Sequence, residues 1–214
     1  MGAAWEAKPP LMVVGIPNTN LVTINWAFEL KAMWFPPDTN VHGTSGLPID
    51  VARNSCVKYA RKNGAKYLLF LDSDVVPARR DWIRGLLEMQ QPIVSGLYWS
   101  KKGHPGIWRL HEGSYAPITG FTPGAIVDVD AVGAGALLID MRVFDELDKL
   151  GKKPYFVWEI DDLENIEHKK GEDFHFCRLA KEAGFNIFVN TSIEMYHEQN
   201  IAWGGDGRVA RLGD

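Results

Sequence analysis

Apolar positions in this chain gather into short uninterrupted runs, and the stretches between them carry helical spacing. Leu11–Ile16 (LMVVGI), Tyr67–Leu71 (YLLFL) and Pro92–Trp99 (PIVSGLYW) are runs of strand length. Such runs read as strands covered on both faces. Ala125–Ala131, Gly135–Ile139, Asn186–Val189 and Ile193–His197 are strand-like as well, and Pro154–Trp158 reads as a short strand. Asn20 is placed to cap a helix running to about Trp34, with Leu21, Ile24, Phe28 and Phe35 near one face, ended by Pro36-Pro37-Asp38. Asp50 is the expected cap of a second helix, whose stripe is Ala52, Cys56, Tyr59 and Ala60 and whose stop is Gly64. Arg79–Met89, Arg142–Leu150 and Glu172–Ala183 follow, with Leu150 among the residues expected to face inward. Thr39–Pro48 carries no element by pattern, and Lys101–Thr122 reads as a loop or hairpin near the active site.

Strands alternating with helices, with no linker or repeat in 214 residues, predict one α/β domain with a central, mostly parallel sheet flanked by helices. Its core spans about 10–198. The tail, Ile201–Asp214, has four glycines and few apolar residues, and reads as flexible.

Composition narrows the function classes. Hydrophobic residues make up 46% and charged residues 23%, the balance of an ordinary globular protein. A net charge of −4 without a Lys/Arg block gives no basis for nucleic-acid binding. No apolar run approaches the roughly 20 residues of a membrane span, and no basic segment leads into an apolar one at the N-terminus. Cys56 and Cys177 both fall in predicted helices without metal-ligand spacing, so reduced thiols and a cytoplasmic location are expected. Of the eight Trp residues, Trp99, Trp108 and Trp158 are candidates for stacking on sugars, although aromatic core is the commoner use.

The candidate chemistry begins at Asp72-Ser73-Asp74, directly after the Tyr67–Leu71 run. Ligands of α/β sheets collect at the carboxyl ends of strands. Two carboxylates placed there suit a hard cation, Mg²⁺ or Mn²⁺, that leaves coordination positions for substrate phosphates. Glu172-Asp173 opens a helix, where acids also serve the helix dipole, and offers a general base. His197 ends the last predicted strand, and a nitrogen ligand beside two carboxylates is ordinary coordination for Mn²⁺. Gly133-Ala134-Gly135 is no dinucleotide fingerprint, because Leu138 occupies the third glycine position. His168, His175 and Cys177 suggest zinc, but His175 and Cys177 fall on different helix faces; Asp161-Asp162 reads as a solvated turn.

Taken together and in order, these segments resemble the GT-A glycosyltransferases, within them the group related to family 2. Val51-Ala52-Arg53-Asn54 is similar to that family's helix start, YLLFLDSDVVP to its Asp-x-Asp strand, and Gly171-Glu172-Asp173 to its acidic helix. IVSGLYW and VDAVGAGALLIDMRVFDEL are similar to the next strand and the stretch beneath the acceptor site, and Met195-Tyr196-His197 to the strand bearing a metal-side histidine. The resemblance implies a nucleotide-diphosphate sugar donor, an unspecified acceptor hydroxyl and a divalent ion. It assigns the metal to Asp74 and His197, Asp72 to the ribose or metal-bound water, and Arg53 and Asn54 to donor contacts. Asp173 would be the base of an inverting reaction, with Glu172 as its fallback. The base-reading Asp usual before the second helix has only Asp38 as a counterpart. Two other readings stand beside this one. A HAD-type phosphohydrolase would use Asp72 as nucleophile, and a non-catalytic carbohydrate-binding module could occupy the same scaffold.

Overall fold

The structure, a computed structural model, describes residues 11–99, 104–160, 169–198, 201–203 and 209–211, with the backbone alone at 160, 169–170 and the last two segments. In chain order its elements are β1 (Met12–Asn18), α1 (Ile24–Ala32), β2 (Thr39–Ser45), α2 (Ile49–Lys62), β3 (Tyr67–Leu71), β4 (Val75–Pro77), α3 (Trp82–Glu88) and β5 (Ile93–Tyr98). There follow β6 (Ile107–His111), β7 (Ser114–Pro117), β8 (Ile126–Val129), β9 (Ala131–Val132), β10 (Ala136–Asp140) and α4 (Met141–Lys149). The last are β11 (Glu159–Ile160), β12 (Lys169–Lys170), α5 (Glu172–Glu182), β13 (Ile187–His197), β14 (Ile201–Trp203) and β15 (Val209–Arg211).

The central sheet runs β2-β1-β3-β10-β5-β13-β4, with β8 also on β13. β1 is parallel to β2 and β3, and β13 is parallel to β5. β10 is antiparallel to both β3 and β5, so β1, β2, β3, β5 and β13 all point one way. Their carboxyl ends share one edge of the sheet. β3 shows why its apolar run is unbroken. Leu68 and Phe70 pack on the side of α2, with Cys56 and Val57, while Leu69 and Leu71 pack on the opposite side with Trp26, Trp82 and Leu86. Alternate side chains of a strand point to opposite faces, and here both faces are core.

Several expectations are corrected. Thr39–Ser45 is a strand, the sheet's edge on β1; its sequence is polar because only Thr44 of it is buried. Helix α1 starts later than expected, with Thr23 as its cap and Asn20 in a left-handed conformation before it (φ 71°). Three of the four residues of its presumed inner stripe face outward, Leu21, Ile24 and Phe28 being 82%, 74% and 62% exposed, while Phe35 packs against the core. The helix packs by Trp26 instead, whose indole N–H donates to the carbonyls of Asp72 (3.2 Å) and Val75 (3.0 Å). Pro48, and not Asp50, stands at the cap of α2, and Asp50 lies in the first turn. Leu150 is half exposed, and Pro154–Trp158 forms no strand. The two segments expected at the end of the core are one eleven-residue strand, β13, with an irregular register between Asn190 and Glu194. The 101–122 region contains the expected hairpin, β6–β7. In the tail, β14 and β15 pair antiparallel. Among the described residues, no helix is long and apolar enough to cross a membrane.

Candidate active site

Because β1, β3, β5 and β13 run parallel, Asn18, Asp72, Trp99 and His197 all arrive at the same edge of the sheet. The Asp72–Val75 turn there is closed by the Val75 N–H on the Asp72 carbonyl (3.1 Å), and the Asp72 N–H donates to Gly135 (3.0 Å). The Trp26 indole clamps the same turn from the α1 side. The turn is thus fixed by backbone groups.

Arg53, on α2, is 3% exposed. Its Nη2 donates to Asp72 Oδ2 (3.1 Å), its Nε to Glu172 Oε1 (2.9 Å) and its Nη1 to the Ala134 carbonyl (3.3 Å). The guanidinium also lies over the Phe70 ring, 5.1 Å from its centroid. A buried charge survives only when paired and hydrogen-bonded. The two carboxylates hold its pKa above the ordinary arginine value despite burial. Arg53 therefore joins the Asp72 turn to the start of α5 from within the core. Asp72 Oδ1, by contrast, is buried and has no hydrogen-bond partner among the described residues.

Glu172 is buried, and Asp173 beside it is half-buried. The Asp173 carboxylate accepts from the Phe174 N–H (2.8 Å). Burial, followed by the charge of Glu172, pushes its pKa up to about 7, against the opposing pull of Arg53. A carboxyl in that range is suited to taking a proton near neutral pH.

β13 brings in the histidine. It runs antiparallel to β4 with His197 opposite Val75, and the Glu198 N–H donates to the Asp74 carbonyl at 2.8 Å. His197 Nδ1 lies 2.6 Å from the Trp99 carbonyl. A carbonyl only accepts, so Nδ1 carries the hydrogen, and a neutral ring keeps its lone pair on Nε2. Nδ1 bonded to a carbonyl is the arrangement of a metal-ligating histidine. The backbone thus delivers Asp72, Asp74 and His197 to one edge. Their side chains do not converge on one point, however: among the described residues no three His, Cys, Asp or Glu side chains form a metal-holding group.

An open cleft of about 900 Å³ lies between the end of β1, the start of α1 and the Asp72–Asp74 turn. Asn18, Leu21, Leu47, Asp72, Asp74 and Glu198 are among its lining. Glu198 escaped the sequence reading. Its carboxylate accepts from Thr23 Oγ1 and Asn25 Nδ2, strapping the end of β13 to α1. The signal was the acid directly after His197.

Asn54 is not in this cleft. Its amide donates to the carbonyls of Asp50 (2.8 Å) and Phe156 (2.7 Å), and its carbonyl accepts from Tyr155 (3.2 Å) and Phe156 (3.3 Å). With both ends engaged, Asn54 pins a loop and has no donor left for a nucleotide. Trp99 is half-buried against the core, Trp108 packs on Phe174 with ring centroids 4.7 Å apart, and Trp158 is 44% exposed. His175 pairs with Glu159 (2.7 Å), while the buried Cys177 thiol faces the Val132 carbonyl, so the two share no metal. His168 and Asp161-Asp162 lie outside the described residues.

No family model matches the sequence, and no curated protein matches it. Solved structures do match in shape. The crystal structure of A197 from STIV superposes with a TM-score of 0.63 at 19% identity, over 95% of this chain and 94% of that one. The crystal structure of GalNAc-T7 with UDP, GalNAc and Mn²⁺ superposes with a TM-score of 0.52 at 13% identity, over 90% of this chain and 44% of that one. At such identities the likeness is one of fold: the chain is a mixed α/β protein with structural neighbours in the glycosyltransferase fold.

Proposed function

We propose that this chain is a divalent-metal-dependent glycosyltransferase, moving a sugar from a nucleotide-diphosphate donor to an acceptor hydroxyl with inversion. The observation that carries the reading is Asp72. Its Oδ2 is held by a buried arginine, while its Oδ1 is buried and unpartnered at a large cleft on a glycosyltransferase-type fold. An orphaned carboxylate oxygen in a buried setting calls for a cation or a donor group. Asp74 and the Nε2 of His197 reach the same edge of the sheet without converging with it on one point, and the three offer oxygen donors and one nitrogen, the donor types that suit Mn²⁺ or Mg²⁺. A divalent ion held by these residues would supply Lewis-acid neutralisation of the departing diphosphate. The neighbour solved with UDP and Mn²⁺ supports a nucleotide-sugar donor for this chain too.

The rest falls to the chain's own residues. Asp173 takes the proton of the acceptor hydroxyl while that oxygen bonds to the anomeric carbon and the bond to the diphosphate breaks. Glu172 and Arg53 set the basicity of Asp173, the first raising its proton affinity and the second lowering it. Arg53, linking Asp72 to Glu172, keeps the two halves of the site in register.

The test is a panel of sugar nucleotides with Mn²⁺, scored for release of nucleoside diphosphate and for the anomer of the product. Release that needs the metal and disappears in Asp74→Ala supports the transferase. Phosphate release from a generic phosphomonoester would favour the phosphohydrolase, and sugar binding without turnover the binding module.

A further inference from the structure

The Gly133-Ala134-Gly135 motif belongs to no dinucleotide site, yet its glycines are needed. A Cβ at Gly133 would lie 2.6 Å from Cε1 of Tyr98, and one at Gly106 would lie 2.3 Å from Cδ1. On the other edge of the ring, a Cβ at Gly135 would lie 3.3 Å from Cε2 and 3.2 Å from Asp72 Oδ2. Three glycines thus form a slot for one aromatic ring, and the slot abuts the carboxylate. It is stitched shut by backbone bonds, from the Gly106 N–H to the Tyr98 carbonyl (2.7 Å) and from the Gly133 N–H to the Gly106 carbonyl (3.3 Å). Inside it, the Tyr98 ring meets the His197 imidazole edge-on, with centroids 4.5 Å apart at 61°. The next residue, Trp99, supplies the carbonyl that binds His197 Nδ1. Two consecutive residues therefore hold the histidine, one by a ring and one by a carbonyl. The carbonyl alone fixes one atom and leaves the imidazole plane to swing. An aromatic edge contact removes that freedom.

We infer that Tyr98 is a positioning residue: its ring, locked in the Gly106–Gly133–Gly135 slot, holds His197 with Nδ1 on the Trp99 carbonyl and Nε2 presented for a divalent cation. The inference rests on the metal reading above in naming the cation, but the hold on the imidazole does not depend on it.

Two measurements test it on the full chain. The first is the tautomer of His197, read by ¹⁵N NMR at about pH 8.5, where imidazoles are neutral. The second is the binding of Mn²⁺ alone, read by electron paramagnetic resonance. Tyr98→Phe keeps the ring; it should show the single Nδ1–H tautomer and bind Mn²⁺ within about twofold of the parent. Tyr98→Leu removes the edge contact; it should show mixed tautomers and bind Mn²⁺ about tenfold more weakly. Should that variant fail to fold, Gly133→Ala, whose methyl strikes the ring, should give the same two changes. Leucine or alanine variants with the parent's tautomer and Mn²⁺ affinity overturn the inference. So does a phenylalanine variant as impaired as the leucine one, since the hydroxyl would then be the acting group. A parent protein that binds no Mn²⁺, yet shows the tautomer pattern predicted across the variants, counts against the metal reading and leaves the role of Tyr98 standing.

Discussion

Replacing Arg53 by methionine tests the charged joint of the site. Methionine keeps an unbranched side chain over Phe70 but strips the guanidinium from Asp72 and Glu172. The side chain of Glu172 is only 7% exposed and that of Asp72 22%, so Glu172 is left nearly dry without a counter-charge. Breaking a buried pair by removing one partner costs about 3–5 kcal/mol. For a domain of this size each kcal/mol moves Tm by about 2–4 °C, so Tm should fall by about 6–20 °C. The deficit against the parent is followed by urea denaturation, and its source is the buried Glu172 side chain left without its arginine partner. A second substitution, Glu172→Gln, should restore at least about 1.5 kcal/mol to the methionine variant, a coupling of the size expected between contacting residues. If the single variant loses under about 1 kcal/mol, or the two changes simply add, Arg53 does not bridge the site as described.

Asp173, with its pKa pushed up to about 7, should give kcat/KM for transfer that rises with pH through neutrality and levels above it. Because that folded value exceeds the unfolded one, the group stabilises the fold fully only at low pH, and this contribution is lost as pH rises through about 7. Asp173→Asn should therefore raise stability by about 2–3 kcal/mol more at pH 8 than at pH 5, while reducing transfer by about 10²-fold or more with donor binding retained. An unchanged melting curve at pH 8, or an equal loss of donor affinity, would contradict this. Asn54→Leu should cost about 2–4 kcal/mol by stranding the buried amide partners of residues 155–156, and calorimetry should find donor affinity unaltered. Trp26→Phe should free the carbonyls of Asp72 and Val75, cost about 1–3 kcal/mol in chemical denaturation and speed amide exchange at Val75.

The parts of the fold legible in the sequence are those where burial dictates composition. β3 reads as a strand because neither face tolerates a polar residue, and α5 reads as a helix because Phe176, Leu179 and Ala180 recur at its period. β2 is hidden because an edge strand with one buried residue needs no apolar pattern. α1 misleads in a different way. Leu21, Ile24 and Phe28 have helical spacing, but a single Trp26 on the other side, anchored by two hydrogen bonds, decides which way the helix faces. In the site, Asp72, Asp74 and His197 are visible because they follow strands whose ends must share an edge. The burial of Arg53 is invisible, since its partners lie 19 and 119 residues away and only the fold brings them to it. The contacts of Asn54 are hidden for the same reason: the loop it pins is 101 and 102 residues distant.

The reversed strand β10 at the sheet's centre governs how this chain can be made. β3 and β5 do not pair; β10 fills the seam between them, and it leaves the ribosome well after both. Until residues 136–140 emerge, the facing edges of β3 and β5 display unpaired peptide groups flanked by their most apolar side chains, an invitation to aggregation. Nascent chains stalled with Tyr98 released but Ala136 still inside the exit tunnel should be cut readily by protease and held by chaperones. Chains released past His197, with β10 between β3 and β5 and β13 on the far edge of β5, should resist both.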